Sequence, residues 1–196
     1  MELNIERPST SEVEKHLNNW DNNDKYVLHD LSLNELFKTV YPNNTDIKDI
    51  LIKATVLNNF YSTNIFDIYT VSLRILSLNI DERLAKGDEK LVDELSVVVI
   101  QNNEKHFYSF ASKYCSHHYP DLYPIYDSYV EKILCYFQKK DNFSSFSRKD
   151  LRSYSTFKRV IINFKKFYDI DQYNLKDIDR YLWLLGKEKL KKDTKS

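Results

Sequence analysis

The chain of 196 residues, 42% of them hydrophobic and with 15 tyrosines and 11 phenylalanines, can bury a core and suits one domain or two small lobes. It has only two glycines, Gly87 and Gly186, where average usage gives about 14. This scarcity excludes a glycine-rich phosphate loop, a dinucleotide-binding fingerprint and a nucleophile elbow, and it disfavours a tight-hairpin β fold. The net charge of zero hides a split: residues 132–196 hold 17 Lys+Arg against 8 Asp+Glu, leaving 12 against 21 for residues 1–131.

Ser9 or Ser11 can cap a first helix through about Trp20, which the Asn/Asp-rich stretch after it ends. Ser32 with Glu35 three residues on forms a capping box for a helix that Pro42 stops. Asp46 opens a helix on which Ile47, Ile50, Leu51, Ala54 and Leu57 keep the 3.6-residue period. Asn64 caps the next, whose stripe is Ile65, Ile68, Val71, Ser72, Ile75 and Leu76. Gly87 ends a short turn and Asp88 caps a further helix. The run 97–100 has strand composition, but it follows a helical pattern and has no sheet to join. Phe107, Phe110, Ala111 and Tyr114 mark another helix, followed by an irregular aromatic stretch with Pro120 and Pro124. Asp127 starts a helix with Val130, Ile133, Leu134 and Phe137 on one face. Two basic helices, over 155–168 and 175–190, complete an all-α chain of about ten short helices.

Cys115 and Cys135 are too few and too far apart for a disulfide framework and read as buried free thiols of a reducing compartment. The N-terminus lacks an apolar signal core, and no uncharged apolar run approaches the roughly 20 residues that span a bilayer, so a cytoplasmic protein without membrane contact is expected.

Four groups of residues carry candidate chemistry. Asp127 follows the stiff Pro124-Ile125-Tyr126 approach; it caps a helix, and an anion favoured at a helix N-terminus can also stabilise a cation or orient a water. His117 and His118 point about 100° apart on a helix, so joint binding of one ion is awkward, and they read as structural or phosphate-contacting. No metal site is expected. The stretch Asn58–Asn64, with Asn59 and Tyr61, is either a capped helix–helix turn or a wedge that fills the gap left by an extruded base. Tyr119, Tyr123 and Tyr126 flank prolines and are the better candidates among the tyrosines for base stacking, against a core role. On the basic helices, Lys158, Arg159 and Lys166 share one side with Lys165 at its border, a candidate phosphate-facing surface or a solvated face that pairs with the acidic half.

The order of these pieces, Ile50–Leu76, a helix pair, then Ser109–Cys115 and Tyr123–Val130, resembles the core of the helix-hairpin-helix base-excision DNA glycosylase superfamily, over about residues 47–137. In that family a helix–polar turn–helix supplies the duplex wedge, a hairpin grips phosphates, and an aspartate follows the hairpin in a motif that Ile125-Tyr126-Asp127-Ser128-Tyr129-Val130 matches. The glycine-bearing hairpin of the family is replaced by Val99–Lys105, and the position of the lysine in bifunctional members reads as Ser109, with Lys105 and Lys113 each one helical turn away. The segments Ser109–Val130 and Asp179–Lys187 are also similar to small bacterial phage-defence glycosylases that act on glucosylated hydroxymethylcytosine.

The resemblance implies a two-lobed single unit with a central cleft, residues 47–120 forming one lobe and residues 1–46 with 121–196 the other. It implies a monofunctional enzyme acting on double-stranded DNA without a cofactor or obligate protein partner. Asp127 would be catalytic, Asn58, Asn59, Tyr61, Asn64, Tyr123 and Tyr126 would form the base pocket or wedge, and Lys105, His106, Ser109, Lys113, His117, His118 and the basic-helix cations would contact backbone. The other readings are a non-catalytic DNA- or protein-binding module on the same scaffold, and an interaction subunit without nucleic acid.

Overall fold

The computed structural model describes residues 5–190 and is mostly helical. Among the described residues are α1 (Thr10–Asp21), α2 (Asp24–Asn34), α3 (Ile47–Tyr61), α4 (Ile68–Ser77), α5 (Ile80–Ala85), α6 (Lys90–Ser96), α7 (Tyr108–His118), α8 (Ser128–Asp141), α9 (Tyr154–Phe167) and α10 (Leu175–Leu190). Between α6 and α7 lie the two strands β1 (Val97–Ile100) and β2 (Asn103–His106), paired antiparallel from Val97 opposite His106 to Ile100 opposite Asn103. The run 97–100 is therefore a strand, and its partner is the polar segment after the turn. The fold is all-α.

The chain divides into two compact units, one from Val27 to Ile125 and one from the chain ends up to Tyr26 and from Tyr126 onward. Residues 27–46 and 121–125, expected with the chain ends, fall in the middle unit. For the former the reason is local: α2 runs through Ser32 without a break, so no capping box forms there, and it widens into a π-helical turn over Glu35–Val40. The Tyr41 amide accordingly bonds back five residues to the Leu36 carbonyl. Pro42 ends the helix, and Asp46 then caps α3 by accepting from the Lys48 amide.

In the middle unit, α3 packs along α4 and α6 packs along α7. Ile50, Ala54, Leu57, Val71 and Ile75 are fully buried, each larger side chain contributing about 1.5–3 kcal/mol by leaving water. A polar hub ties the 41–46 segment to this core. The buried Lys53 ammonium donates to the carbonyls of Tyr41 and Asn43 at 2.9 Å and to Asn44 Oδ1 at 2.7 Å, which satisfies its three donors. Burial pulls the Lys53 ammonium down to about 8 against the nearby carboxylates of Asp81 and Asp49. Tyr114 donates its hydroxyl to the same Asn44 oxygen, and Asn44 Nδ2 donates to Asp81.

His118 borders this hub, with its Nε2 at 3.2 Å from Asn44 Nδ2. Burial, and then the Lys53 charge, push its imidazole down to about 2, so it stays neutral in the fold. The unfolded chain takes up a proton below about pH 6.5 that the folded chain refuses. Stability is therefore expected to fall on acidification by about 2 kcal/mol between pH 7.5 and 5. Urea unfolding at several pH values checks this; in a His118→Gln variant, compared with its own value at pH 7.5, that decline should largely vanish.

In the chain-end unit, α10 packs on both α1 and α8. Ser9 caps α1 as expected, by accepting from the Glu12 amide. Phe137, Phe164 and Tyr168 cluster with ring centroids 4.8–5.8 Å apart, and Phe143 joins them on Phe164. Trp20, Tyr26 and Trp183 meet around the Lys187 ammonium, which lies 4.6 Å from the Trp183 ring centre and 4.7 Å from that of Tyr26. Gly186 faces Tyr129 of α8 so closely that a methyl group there would meet Tyr129 Cβ at 2.6 Å. Turns in both units use residues other than glycine at positive φ: Ser62, Asn64, Asn79, Gln101, Asn102, Asn142 and Asp169.

Candidate functional site

In the middle unit, the break between α3 and α4 is a braced turn. Asn58 lies inside it: Oδ1 accepts from the Ile65 amide at 3.0 Å and the Thr63 hydroxyl at 2.6 Å, while Nδ2 donates to the Ile65 carbonyl at 3.0 Å. Ser62 and Asn64 take positive φ, which reverses the chain. Asp67, not Asn64, caps α4, by accepting from the amide and hydroxyl of Thr70. Between buried Ile65 and the capping Asp67, Phe66 stands wholly in solvent at 101% relative exposure. Asn58 is thus the brace and Phe66 the protrusion, with Asn59 and Asn64 exposed beside it. The spacing Asp67-x-x-Thr70, an N-cap signature, marks the true helix start and so the tip.

Between α6 and α7 the chain forms the β1–β2 hairpin, closed by a two-residue turn. Its two turn residues, Gln101 and Asn102, both have positive φ, 49° and 63°, as a two-residue hairpin turn matching strand twist requires. Lys105 and His106 are exposed on β2, and His106 pairs with Glu104 at 2.9 Å.

On α7 the histidines point apart as the helix geometry requires. His117 Nε2 meets the Tyr61 hydroxyl at 2.9 Å, and His118 faces the Lys53 hub. Both are buried, as is Lys113, so these three are interior groups and not phosphate contacts on an open surface. Lys113 donates to Ser109 Oγ at 2.5 Å, and its ammonium lies 5.0 Å from the centre of the Tyr61 ring. An amine thus reaches the Ser109 position from one turn further along the helix.

Tyr123 is fully buried, its hydroxyl set toward the carbonyls of Arg83, Leu84 and Asp88, and Tyr126 is 5% exposed. Neither is an open stacking platform: the loop that carries them is packed inward, because each hydroxyl finds a protein acceptor there. Tyr119 is the exposed member of the set, with the Lys38 ammonium 5.0 Å from its ring centre.

In the chain-end unit, Asp127 caps α8. Its backbone is extended at φ −140° and ψ 153°, and Oδ1 accepts from the Tyr129 amide at 2.9 Å. One turn on, Glu131 is buried; it accepts from the Tyr126 hydroxyl and, at 2.6 Å, from Arg148 Nε. On α9, Tyr154, Phe157, Val160, Ile161 and Phe164 form the buried face, while Arg159 and Lys166 are exposed and Lys158 and Lys165 half-buried. The Glu131 cluster is not legible in the sequence, because a buried carboxylate leaves no periodic signal of its partners. Cys115 is buried, and Cys135 half-buried, as free thiols. Among the described residues no group of three or more His, Cys, Asp or Glu converges as a metal site, and no helix is long and apolar enough to cross a membrane.

Residues 12–122, from α1 to the loop after α7, match the model of the HI_0787_N family, described as an N-terminal domain. An uncharacterized protein of Haemophilus influenzae is 54% identical over 145 residues, which make up 74% of this chain and 69% of the relative. No solved structure matches. With more than half of its length under the family model, and this similarity extending over most of both chains, the protein belongs to the HI_0787_N family.

Proposed function

We propose that the protein is a monofunctional DNA glycosylase of the cytoplasm. It acts on an extruded, modified base in double-stranded DNA, with glucosylated hydroxymethylcytosine of phage DNA as the candidate, and leaves an abasic site. The observation that carries the reading is Asp127 as the capping carboxylate of α8, in chain order after two helices joined by the β1–β2 hairpin. A carboxylate at a helix N-terminus is favoured as an anion. It would stabilise the positive charge that develops on the sugar as the glycosidic bond breaks, and direct water to C1′. The cations of α9 would hold phosphates. Phe66, fixed between a buried and a capping neighbour, would enter the stack where the nucleotide leaves.

Incubation with duplexes carrying the glucosylated base or plain cytosine, followed by alkali, tests this: breaks only after alkali, and only with the modified base, are expected. Binding without abasic sites would select the non-catalytic binding module, a reading that the missing glycine loop favours. A second enzymatic reading rests on Lys113, whose amine reaches Ser109. A borohydride-trapped adduct that is lost in Lys113→Met would make the enzyme bifunctional, with the amine as nucleophile.

Phe66→Ala is expected to lower base release from fully paired duplex 10- to 100-fold and to matter far less on single strands, where little unstacking is needed. Melting temperature should hardly change, because the ring makes little use of burial. Equal loss on both substrates would remove Phe66 from the wedge role.

A further inference from the structure

We propose that Arg148 and Arg152, seated on the buried Glu131 carboxylate, form a phosphate-recognition fork for the backbone of the bound nucleic acid, an inference that rests on the reading above. Glu131 is 1% exposed and receives three groups: the Tyr126 hydroxyl, Arg148 Nε at 2.6 Å, and Arg152 Nε at 3.9 Å. Both arginine side chains are nevertheless about two-thirds exposed, 68% and 65%. The Arg148 guanidinium therefore turns its Nε edge inward to a fixed anion, the Arg152 guanidinium stands at ion-pair distance from the same carboxylate, and both side chains keep most of their surface toward solvent. Arg152 also lies over the Tyr126 ring, 5.7 Å from its centre, which further sets its plane.

A single arginine would pair this carboxylate. Two arginines with the exposed Lys149 between them give three cations against the two carboxylates of Glu131 and Asp150, a net charge of +1. The result is a positive patch whose forks are already oriented. Flexible surface arginines lose rotamer freedom on binding, whereas anchored ones lose less. The planar fork matches the paired oxygens of a phosphodiester, and such contacts position a duplex without reading its sequence.

The test is duplex binding against salt for the wild type, Arg148→Gln, Arg152→Gln and the double variant, each with a melting curve as the folding control. Each substitution should weaken binding about five- to tenfold near 0.1 M salt on all sequences alike, and should flatten the log–log salt slope by about 0.9. Arg148→Lys separates fork from charge, retaining the slope while losing affinity. Unchanged affinity and slope in the folded double variant would overturn the fork and leave the glycosylase reading standing. If the wild type binds no duplex at low salt, that reading falls, and the fork is judged on inorganic pyrophosphate by phosphorus NMR. Pyrophosphate binding that is lost in the double variant would sustain the fork as a site for a free phosphate ester; no binding by the wild type would overturn it.

Discussion

Asp127→Asn is expected to reduce base release about 10²- to 10³-fold, the usual effect of deleting one partner of a charge that develops in the transition state. The substitution isolates charge from fold. Asparagine caps helices about as well as aspartate, and its Oδ1 can still accept from the Tyr129 amide. Melting temperature should stay close to that of the wild type while single-turnover abasic-site formation collapses. Asp127→Ala should lose the rate and, in addition, about 1 kcal/mol of stability with the cap. A folded Asp127→Asn protein with full activity would remove the residue from the chemistry and with it the central argument for a glycosylase.

The largest expected loss of stability is at Gly186. Alanine normally stabilises a helix interior by about 0.5–1 kcal/mol over glycine, but here the new methyl would sit 2.6 Å from Tyr129 Cβ and 3.2 Å from the Tyr129 Cα and carbonyl oxygen. Two of those atoms are backbone, so no rotamer change relieves them, and α10 must move off α8. Overpacking of this kind costs about 1–3 kcal/mol. Gly186→Val adds more bulk with a smaller propensity gain than alanine and should exceed about 3 kcal/mol, lowering the melting temperature by about 6–12 °C. Truncating the ring by Tyr129→Ala should not rescue it, since Cβ and the backbone are the obstacle. A Gly186→Val protein that melts like the wild type would mean the helices can separate freely.

Most of the helices were legible in the sequence where caps and periodicity coincide. Asp127, Asp46 and Ser9 cap the helices they were expected to cap, and α10 spans the expected residues. What escaped had a tertiary cause. Strand β2 is polar and exposed along its length, so it shows no alternation that would reveal its pairing with β1. The continuity of α2 through Ser32 defeats a local capping signal, because the helix goes on to bury Leu33 and Phe37. His117 and His118, for which the sequence leaves both a structural and a phosphate-contacting role open, are interior because Tyr61 and Asn44 supply partners from positions that spacing alone cannot connect, while Lys113 is buried with its partner Ser109 one helical turn away. Phe66 lies two residues past the expected Asn58–Asn64 turn, in the gap between Asn64 and the real cap at Asp67.

The left-handed turns have a consequence for what this protein tolerates. Among the described residues, seven with a Cβ occupy a region that L-amino acids enter at a cost of about 1–2 kcal/mol, less for Asn and Asp. Glycine would sit there without strain, most favourably at Gln101 and Ser62, which lack the short amide or carboxylate that eases the conformation. The chain therefore has stabilising headroom at sites away from Asp127 along the sequence. In directed evolution toward a new activity, that headroom would absorb the destabilisation that new functional residues usually bring. Glycine scarcity, which makes the chain look unlike a phosphate-binding scaffold, would in that setting make it an adaptable one.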